Sequence, residues 1–248
     1  MNLILIEPRE LADGGRVTLS DRRAGHLRDV LRSQPGQVVR VGLLDGPRGT
    51  AVVETADAAG VTLRCAWGKD VPPIPRVDLL LALPRPKVLR RLWAQLAALG
   101  VGRILLTNAA RVERVYFDTH VLDAATYRPL LIEGLQQVQD TRLPEVGIHR
   151  QLKILVEDQL DRLCPDSLRL IADPSARQPL TDAVPGDYPG RLLLAVGPEG
   201  GWTAYELDLL ARHGFQPVGL GARTLRTDTA CLALLALAHA ALSEVSSQ

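Results

Sequence analysis

The sequence predicts an α/β protein: a parallel-sheet domain, preceded by a small β-barrel that carries one helix. Three observations carry that reading. From residue 77 onward, short apolar runs alternate with helical stretches, the rhythm of parallel strands with helices on both faces. Two of those runs, at 192–196 and 217–220, stop at glycine, turn and open a helix. Before them, residues 1–70 show mostly short strands separated by turn residues. The stiff connector Val71-Pro72-Pro73-Ile74-Pro75 divides the two regimes.

In the first region Arg16–Leu19 alternates, 37–44 is rich in β-formers, and 49–55 and Gly60–Trp67 follow. Asp45-Gly46-Pro47 is a turn signal. One helix is expected at 21–33, with Leu27, Val30 and Leu31 at helical spacing. Past the prolines the expected order is strand 77–83, helix 87–99, strand 103–107, helix 122–139 and strand Glu145–His149. Helix 152–163 and strand Leu168–Ala172 come next. Leu192–Val196 reads as a buried parallel strand. Gly197-Pro198 breaks it, Gly200-Gly201 permit angles and close approaches that a Cβ blocks, and Thr203 with Glu206 forms a capping box. The second unit repeats the plan: strand 217–220, a turn at Gly219 and Gly221, and Thr227 or Asp228 as cap of the last helix. Side by side, two such units make a cleft at the carboxyl ends of the strands.

Composition narrows the chemistry less. The chain has 248 residues, 46% apolar and 23% charged, as an ordinary globular protein does. With 29 basic against 28 acidic side chains, net charge gives no argument for a nucleic-acid partner. Nearly all the basic residues are arginine, which suits phosphate or carboxylate. Cys65, Cys164 and Cys231 are scattered without metal-ligand spacing, so neither a disulfide framework nor a metal site is expected. The amino terminus lacks the basic region of a signal peptide, and the apolar tract 230–242 is too short to cross a bilayer. A cytoplasmic protein with no membrane partner is the expectation. Common signatures fail: Thr224 stands where a dinucleotide fingerprint needs its third glycine, and there is no Gly-Lys-Ser/Thr loop, Gly-x-Ser-x-Gly elbow or His-Glu-x-x-His pair.

At the two loops, Val196 to Trp202 and Gly219 to Ala230, the sequence resembles the RsmE-type 16S ribosomal RNA uracil-N3 methyltransferases of the SPOUT class. Their signature is Ile-Gly-Pro-Glu-Gly-Gly-Phe followed by Ser-Leu-Gly-x-Arg-Ile-Leu-Arg-x-Glu-Thr-Ala. His26 to Arg32 is similar to the family's His-x-x-x-Val-Leu-Arg helix, Ala82 to Lys87 to its Ala-Leu-Pro-Lys segment, and Leu99-Gly100-Val101 to its Leu-Gly-Val turn. The likeness therefore runs through nearly the whole chain. It departs at Asp228, one methylene shorter than the family's glutamate, at Trp202 in place of phenylalanine, and from Leu135 to Arg142. There only Gln137 and Arg142 keep the family's pattern.

The resemblance implies a PUA-like RNA-binding barrel over 1–70 and a SPOUT methyltransferase domain with a carboxy-terminal trefoil knot over 71–248. It implies S-adenosyl-L-methionine as cofactor, a homodimer, and 16S ribosomal RNA or the small ribosomal subunit as partner, with no metal. Leu194, Gly197, Pro198, Glu199, Gly200, Gly201, Leu220, Gly221, Leu225, Arg226 and Thr229 would hold the cofactor. Glu199 would bond the cofactor or favour its sulfonium, or else be a solvated loop carboxylate. Methylating N3 requires removal of a weakly acidic imide proton. Arg226 would stabilise the developing anion; Asp228 would either take the proton or cap the last helix. Arg9, Arg22, Arg23, Arg28, Arg32, Arg85, Lys87, Gln137 and Arg142 are the RNA-contact candidates, Arg28 and Arg32 sharing one helix face at i and i+4. Two other readings stay open: a related SPOUT enzyme acting on another nucleotide or a ribose 2′-oxygen, and an inactive RNA-binding assembly factor.

Overall fold

The computed structural model describes residues 3–221, 223 and 225–243, the last without its side chain. Ala222 and Thr224 of the second glycine motif lie outside the described residues. The chain divides into two compact units, one holding the residues up to Ile74 together with Leu131–Leu143, the other Pro75–Leu130 and the chain from Pro144 onward. Leu131–Leu143, expected in the second domain, thus belongs with the first.

The first unit contains β1 (Ile4–Ile6), β2 (Arg16–Leu19), the short helix α1 (Arg22–Gly25), β3 (Val38–Leu43), β4 (Arg48–Asp57) and β5 (Gly60–Trp67). The sheet order is β1-β3-β4-β5-β2, antiparallel except for β1 beside β3. Alternation puts Val17 and Leu19 of β2 inward, with Val39, Val41, Ala51, Val53, Val61 and Leu63 from the central strands. Ile4 and Ile6 of the opposite edge strand join the same cluster, so the sheet curls around one core. β1 was not among the expected elements; three residues are too few to show a period. Leu131–Leu143 is stitched in by polar contacts. The buried Thr141 donates its hydroxyl to the Gly46 carbonyl at 2.7 Å, and its own carbonyl accepts from the Asp45 N–H at 2.8 Å.

α1 differs from expectation. It passes at His26–Val30 into one wide π-type turn, the Leu31 N–H reaching back to the His26 carbonyl at 3.0 Å. That adds a residue to the turn and swings the following side chains round. Leu27 stays in the core, but Val30 and Leu31 face solvent. Arg32 lies past the helix at φ 49°, so it does not share a helix face with Arg28.

The second unit runs β6 (Val77–Ala82), α2 (Pro86–Leu99), β7 (Val101–Thr107), α3 (Ala124–Val138, which passes into the first unit at Leu131), β8 (Glu145–His149), then α4 (Leu152–Ile154) and α5 (Leu160–Leu163) joined through a wide turn. It continues with β9 (Leu168–Ala172), α6 (Leu180–Ala183), β10 (Leu192–Val196), α7 (Ala204–Arg212), β11 (Gln216–Val218) and α8 (Thr227–Ser243). All six strands are parallel, in the order β11-β9-β10-β6-β7-β8. Every residue of β6 and β10 is buried, so both sheet faces are covered. On one of them α8 packs over β10 and β6, between α2 and α6. The two glycine-ended strands are not neighbours, contrary to the sequence reading: β9 lies between β10 and β11. Local periodicity carries no information on which parallel strands pair.

At the amino end of the sheet, the fully buried Asp78 carboxylate accepts from Arg191, Nη2 to Oδ1 at 2.6 Å and Nε to Oδ2 at 3.0 Å. Arg76 donates to the Gly190 and Tyr188 carbonyls beside it.

Candidate active site

The opposite, carboxyl end of the sheet carries the glycine loops. In the first, Pro198 and Gly201 close a turn, the Gly201 N–H meeting the Pro198 carbonyl at 2.8 Å with φ 74° at Gly201. The expected capping box then starts α7: the Glu206 N–H donates to the Thr203 hydroxyl at 3.3 Å and the Thr203 N–H to the Glu206 carboxylate at 2.8 Å. Buried Glu206 does more than cap. Its other oxygen accepts the Ala110 N–H at 2.6 Å, tying the loop after β7 to this one. From the same loop Arg111 donates to the Gly200 carbonyl, and its methylene stem covers Gly200 closely enough that a Cβ there would come within 3.0 Å.

A strap following β9 holds the second loop. The Gly219 N–H donates to the Gln178 carbonyl at 2.9 Å, and a Cβ on Gly219 would lie 2.4 Å from the Ala176 carbonyl oxygen, so only glycine fits. Thr227 and Asp228, expected as caps, are the first two residues inside α8.

Two pockets adjoin here and share Leu225. One, about 380 Å³, has mainly apolar walls, with Val218, Leu220 and Gly221 on one side and Ala230 and Leu234 of α8 on the other; Asp173 and Arg223 are its charged residues. The second, about 550 Å³, lies between Val88 of α2, Glu199 of the first loop and Leu225 to Asp228. Asp228 sits between two arginines: Oδ2 accepts from Arg91 at 3.3 Å, while Arg226 Nε stands 3.8 Å from Oδ1, which also accepts the Thr229 N–H at 3.0 Å. The Arg226 side chain is 78% exposed. Cys231, one turn further along α8, is fully buried; burial first, then Asp228, pushes its thiol up to about 12. Among the described residues no cluster suited to a metal ion occurs, and no helix is long and apolar enough to cross a membrane.

Of the residues expected at the cofactor, Leu220, Gly221 and Leu225 meet at the first pocket, and Glu199, Leu225 and Arg226 at the second. Gly197, Pro198, Gly200 and Gly201 lie on the first loop and Thr229 in the first turn of α8, all outside both linings. Leu194 is a correction. It sits in the middle of β10, paired with Leu79 and Leu170 and fully buried, so its side chain cannot reach a ligand.

Two RNA-contact candidates are corrected as well. Arg23 is mostly buried and spends its guanidinium on Glu10, Asp21 and the Leu5 carbonyl; Arg23 in turn holds the Glu10 carboxyl below the usual range. Arg142 donates to the Pro72 and Asp45 carbonyls at 2.5 and 3.0 Å, which makes it a brace of the first unit. Arg9 and Arg22 are exposed, near Glu7 and Glu133 respectively. Arg28 donates to the Asp57 carbonyl at 3.0 Å; Arg32 and Gln137 are exposed. Arg85 and Lys87 are exposed at the start of α2 along with Arg90 and Arg91. Sequence reasoning missed Ala110, Arg111 and the strap's Asp173 and Ala176. Their only local signal is that each follows a strand's carboxyl end.

The sequence profile described as an RNA methyltransferase domain matches residues 72–239, through both glycine loops. The Ribosomal RNA small subunit methyltransferase E of Treponema pallidum is 32% identical over 254 residues, covering 97% of this chain and 92% of its own length. The Synechocystis protein of the same name is 30% identical, covering 96% and 77%. Among solved structures, the putative methyltransferase Lpg2936 from Legionella pneumophila in complex with bound SAM is 26% identical, with a TM-score of 0.79 over 96% of this chain and 97% of that one. Likeness of that length, through both sheets and both loops, makes this chain a member of the ribosomal RNA small subunit methyltransferase E family.

Proposed function

We propose that this protein transfers the methyl group of S-adenosylmethionine to N3 of a uridine in 16S ribosomal RNA. The observation that carries the reading is the pair of adjoining pockets with Leu225 between them. Group transfer between two bound molecules needs two sites whose reacting atoms meet. The first pocket suits the cofactor by its lining: Leu220, Leu225 and Leu234 offer apolar walls to a purine, and Gly221, at φ 94°, presents bare backbone. When bound, the cofactor supplies a methyl group on a positively charged sulfur. The 550 Å³ pocket holds Arg226, an exposed guanidinium suited to stabilising the imide anion left when N3 loses its proton. The names of the relatives and the bound SAM of the Legionella neighbour support the same reaction.

In this reading the first unit is a PUA-like RNA-binding module and the second a SPOUT domain whose carboxy-terminal segment is knotted. Arg9, Arg22, Arg28 and Arg32 on the first unit, and Arg85, Lys87 and their neighbours at the start of α2, meet RNA phosphates, and the protein works in the cytoplasm. A homodimer covers the side of α8 that Ala236, Leu237 and Ala240 leave open.

The decisive experiment incubates the full chain with unmodified small ribosomal subunits and labelled S-adenosylmethionine, followed by nucleoside mass spectrometry. Labelled 3-methyluridine is the expected product. A ribose-methylated nucleoside, or another methylated base, would replace this reading with the related-enzyme one.

A further inference from the structure

Two carboxylates border the pocket that holds Arg226, and their surroundings differ. Both Asp228 oxygens already accept, from Arg91 at 3.3 Å and from the Thr229 N–H at 3.0 Å, with Arg226 a further 3.8 Å from Oδ1. Glu199 is otherwise placed. Its Oε1 accepts a single N–H, that of Arg85 at 3.3 Å, and among the described residues its Oε2 accepts none. The backbone beneath Glu199 is held on both sides, by the Pro198–Gly201 turn and by Arg111 on the Gly200 carbonyl. A fixed loop thus presents a carboxylate with a spare oxygen to a pocket that also contains a guanidinium.

That pair complements one base edge in particular. Uracil offers a single donor, N3–H, flanked by two carbonyl acceptors. A carboxylate beside a guanidinium meets this edge with one acceptor and a set of donors. Cytosine could still offer its N4 amino group to the carboxylate, but it has no proton on N3 for the carboxylate to take. Reaching the edge requires the base to be unstacked and drawn into a pocket.

Building on the methyl-transfer reading above, we infer that Glu199 is the catalytic residue that accepts the N3 proton of the target uracil. The N3–H bond breaks, its proton passing to Oε2 of Glu199. The electron pair left on N3 forms the bond to the methyl carbon, and the carbon–sulfur pair departs with sulfur as the neutral thioether. Arg226 balances the charge on the base while it lasts. The proton leaves Glu199 for water when the product departs. Among the described residues the charged groups recorded at this pocket are Arg226 and Asp228 in its lining, Arg91 of α2 on Asp228, and Arg111 from the loop after β7 on the neighbouring Gly200 carbonyl.

The test compares the full-length protein with E199Q and D228N, in single-turnover methylation of small subunits at saturating substrate. Calorimetry with S-adenosylhomocysteine serves as the second readout. E199Q should bind S-adenosylhomocysteine within about threefold of wild type, yet methylate roughly a hundredfold or more slowly, the usual range for loss of a proton acceptor. Its residual rate should climb with pH as hydroxide substitutes, and E199D should recover part of the activity. D228N should lose less than E199Q. The inference is overturned if E199Q keeps a near-normal rate, if D228N is the more impaired, or if E199Q loses S-adenosylhomocysteine binding, which would make Glu199 a cofactor ligand. A wild-type product other than 3-methyluridine sinks the functional reading and this inference together; the three variant outcomes sink this one alone.

Discussion

The two ends of the six-stranded sheet are built from the same residue types to opposite purposes. At the amino end, Asp78 is sealed from water and fully matched by Arg191, and Arg76 spends its donors on the Gly190 and Tyr188 carbonyls. At the carboxyl end, Arg226 is largely exposed and its nearest carboxylate, on Asp228, is 3.8 Å away. Charge in the first place is consumed by the fold; in the second it is left over. Arginine count alone cannot separate these roles, since burial and the number of donors already committed are what distinguish them.

That contrast puts the largest effect on stability at the amino end. R191M strands the buried Asp78 carboxylate, with Arg103 only a distant partner at 4.0 Å, and should cost about 3–5 kcal/mol. Urea unfolding measures this, while methylation per folded molecule should change little; a loss below about 1 kcal/mol would erase the contrast. At the other end the effects invert. R226A should leave the unfolding midpoint almost unmoved but slow single-turnover methylation roughly a hundredfold to a thousandfold, about 2.7–4 kcal/mol in the barrier. R226K should recover only part, because lysine lacks the planar fork. A full rescue by lysine, with the defect confined to RNA affinity, would move Arg226 to phosphate binding.

Smaller effects sharpen the picture. G200V pushes a branched side chain into the stem of Arg111, 3.0 Å from the position a Cβ would take. It should weaken S-adenosylmethionine binding at least tenfold by calorimetry, about 1.4 kcal/mol; unchanged affinity in a folded variant would detach this loop from the cofactor. The mildest case is T203A. Removing the cap of α7 should lower stability by about 1 kcal/mol, and because Glu206 also holds Ala110, cofactor affinity should drop with it. A stability change with untouched affinity would mean the cap serves the helix alone.

Much of this was legible before any coordinates. β5, β8, β9 and β10 fall where apolar runs and turn residues put them, and the Thr203–Glu206 box starts α7 as its spacing requires. What escaped depends on distant partners. β1 acquires meaning only beside β3, and β9 separates β10 from β11 through a pairing that neither strand's pattern encodes. Arg23 and Arg142 looked like surface cations because their acceptors, Glu10 and the Pro72 and Asp45 carbonyls, are remote in sequence or belong to backbone. Local failures were the wide turns at His26–Val30, where one extra residue moved Val30 and Leu31 into solvent, and at Leu155–Gln159, which breaks the helix expected at 152–163, and the start of α8, which takes in Thr227 and Asp228. At the site both glycine loops were readable, whereas Arg111 became visible only once folding brought it over Gly200.

The assignment of Leu131–Leu143 to the first unit bears on how this protein can be taken apart or recombined. A cut at the proline joint leaves the first unit without Thr141, whose hydroxyl, carbonyl and methyl group fill the space around Gly42, Asp45 and Gly46. The discarded piece would remain on the other fragment as a loose insertion in the middle of its chain. Grafting the first unit between relatives therefore takes three junctions, after Ile74 and at either end of Leu131–Leu143. During synthesis, too, the first unit stays incomplete until the ribosome has added about a quarter of the chain beyond the joint. The module drawn first along the sequence is thus not one that can be finished first.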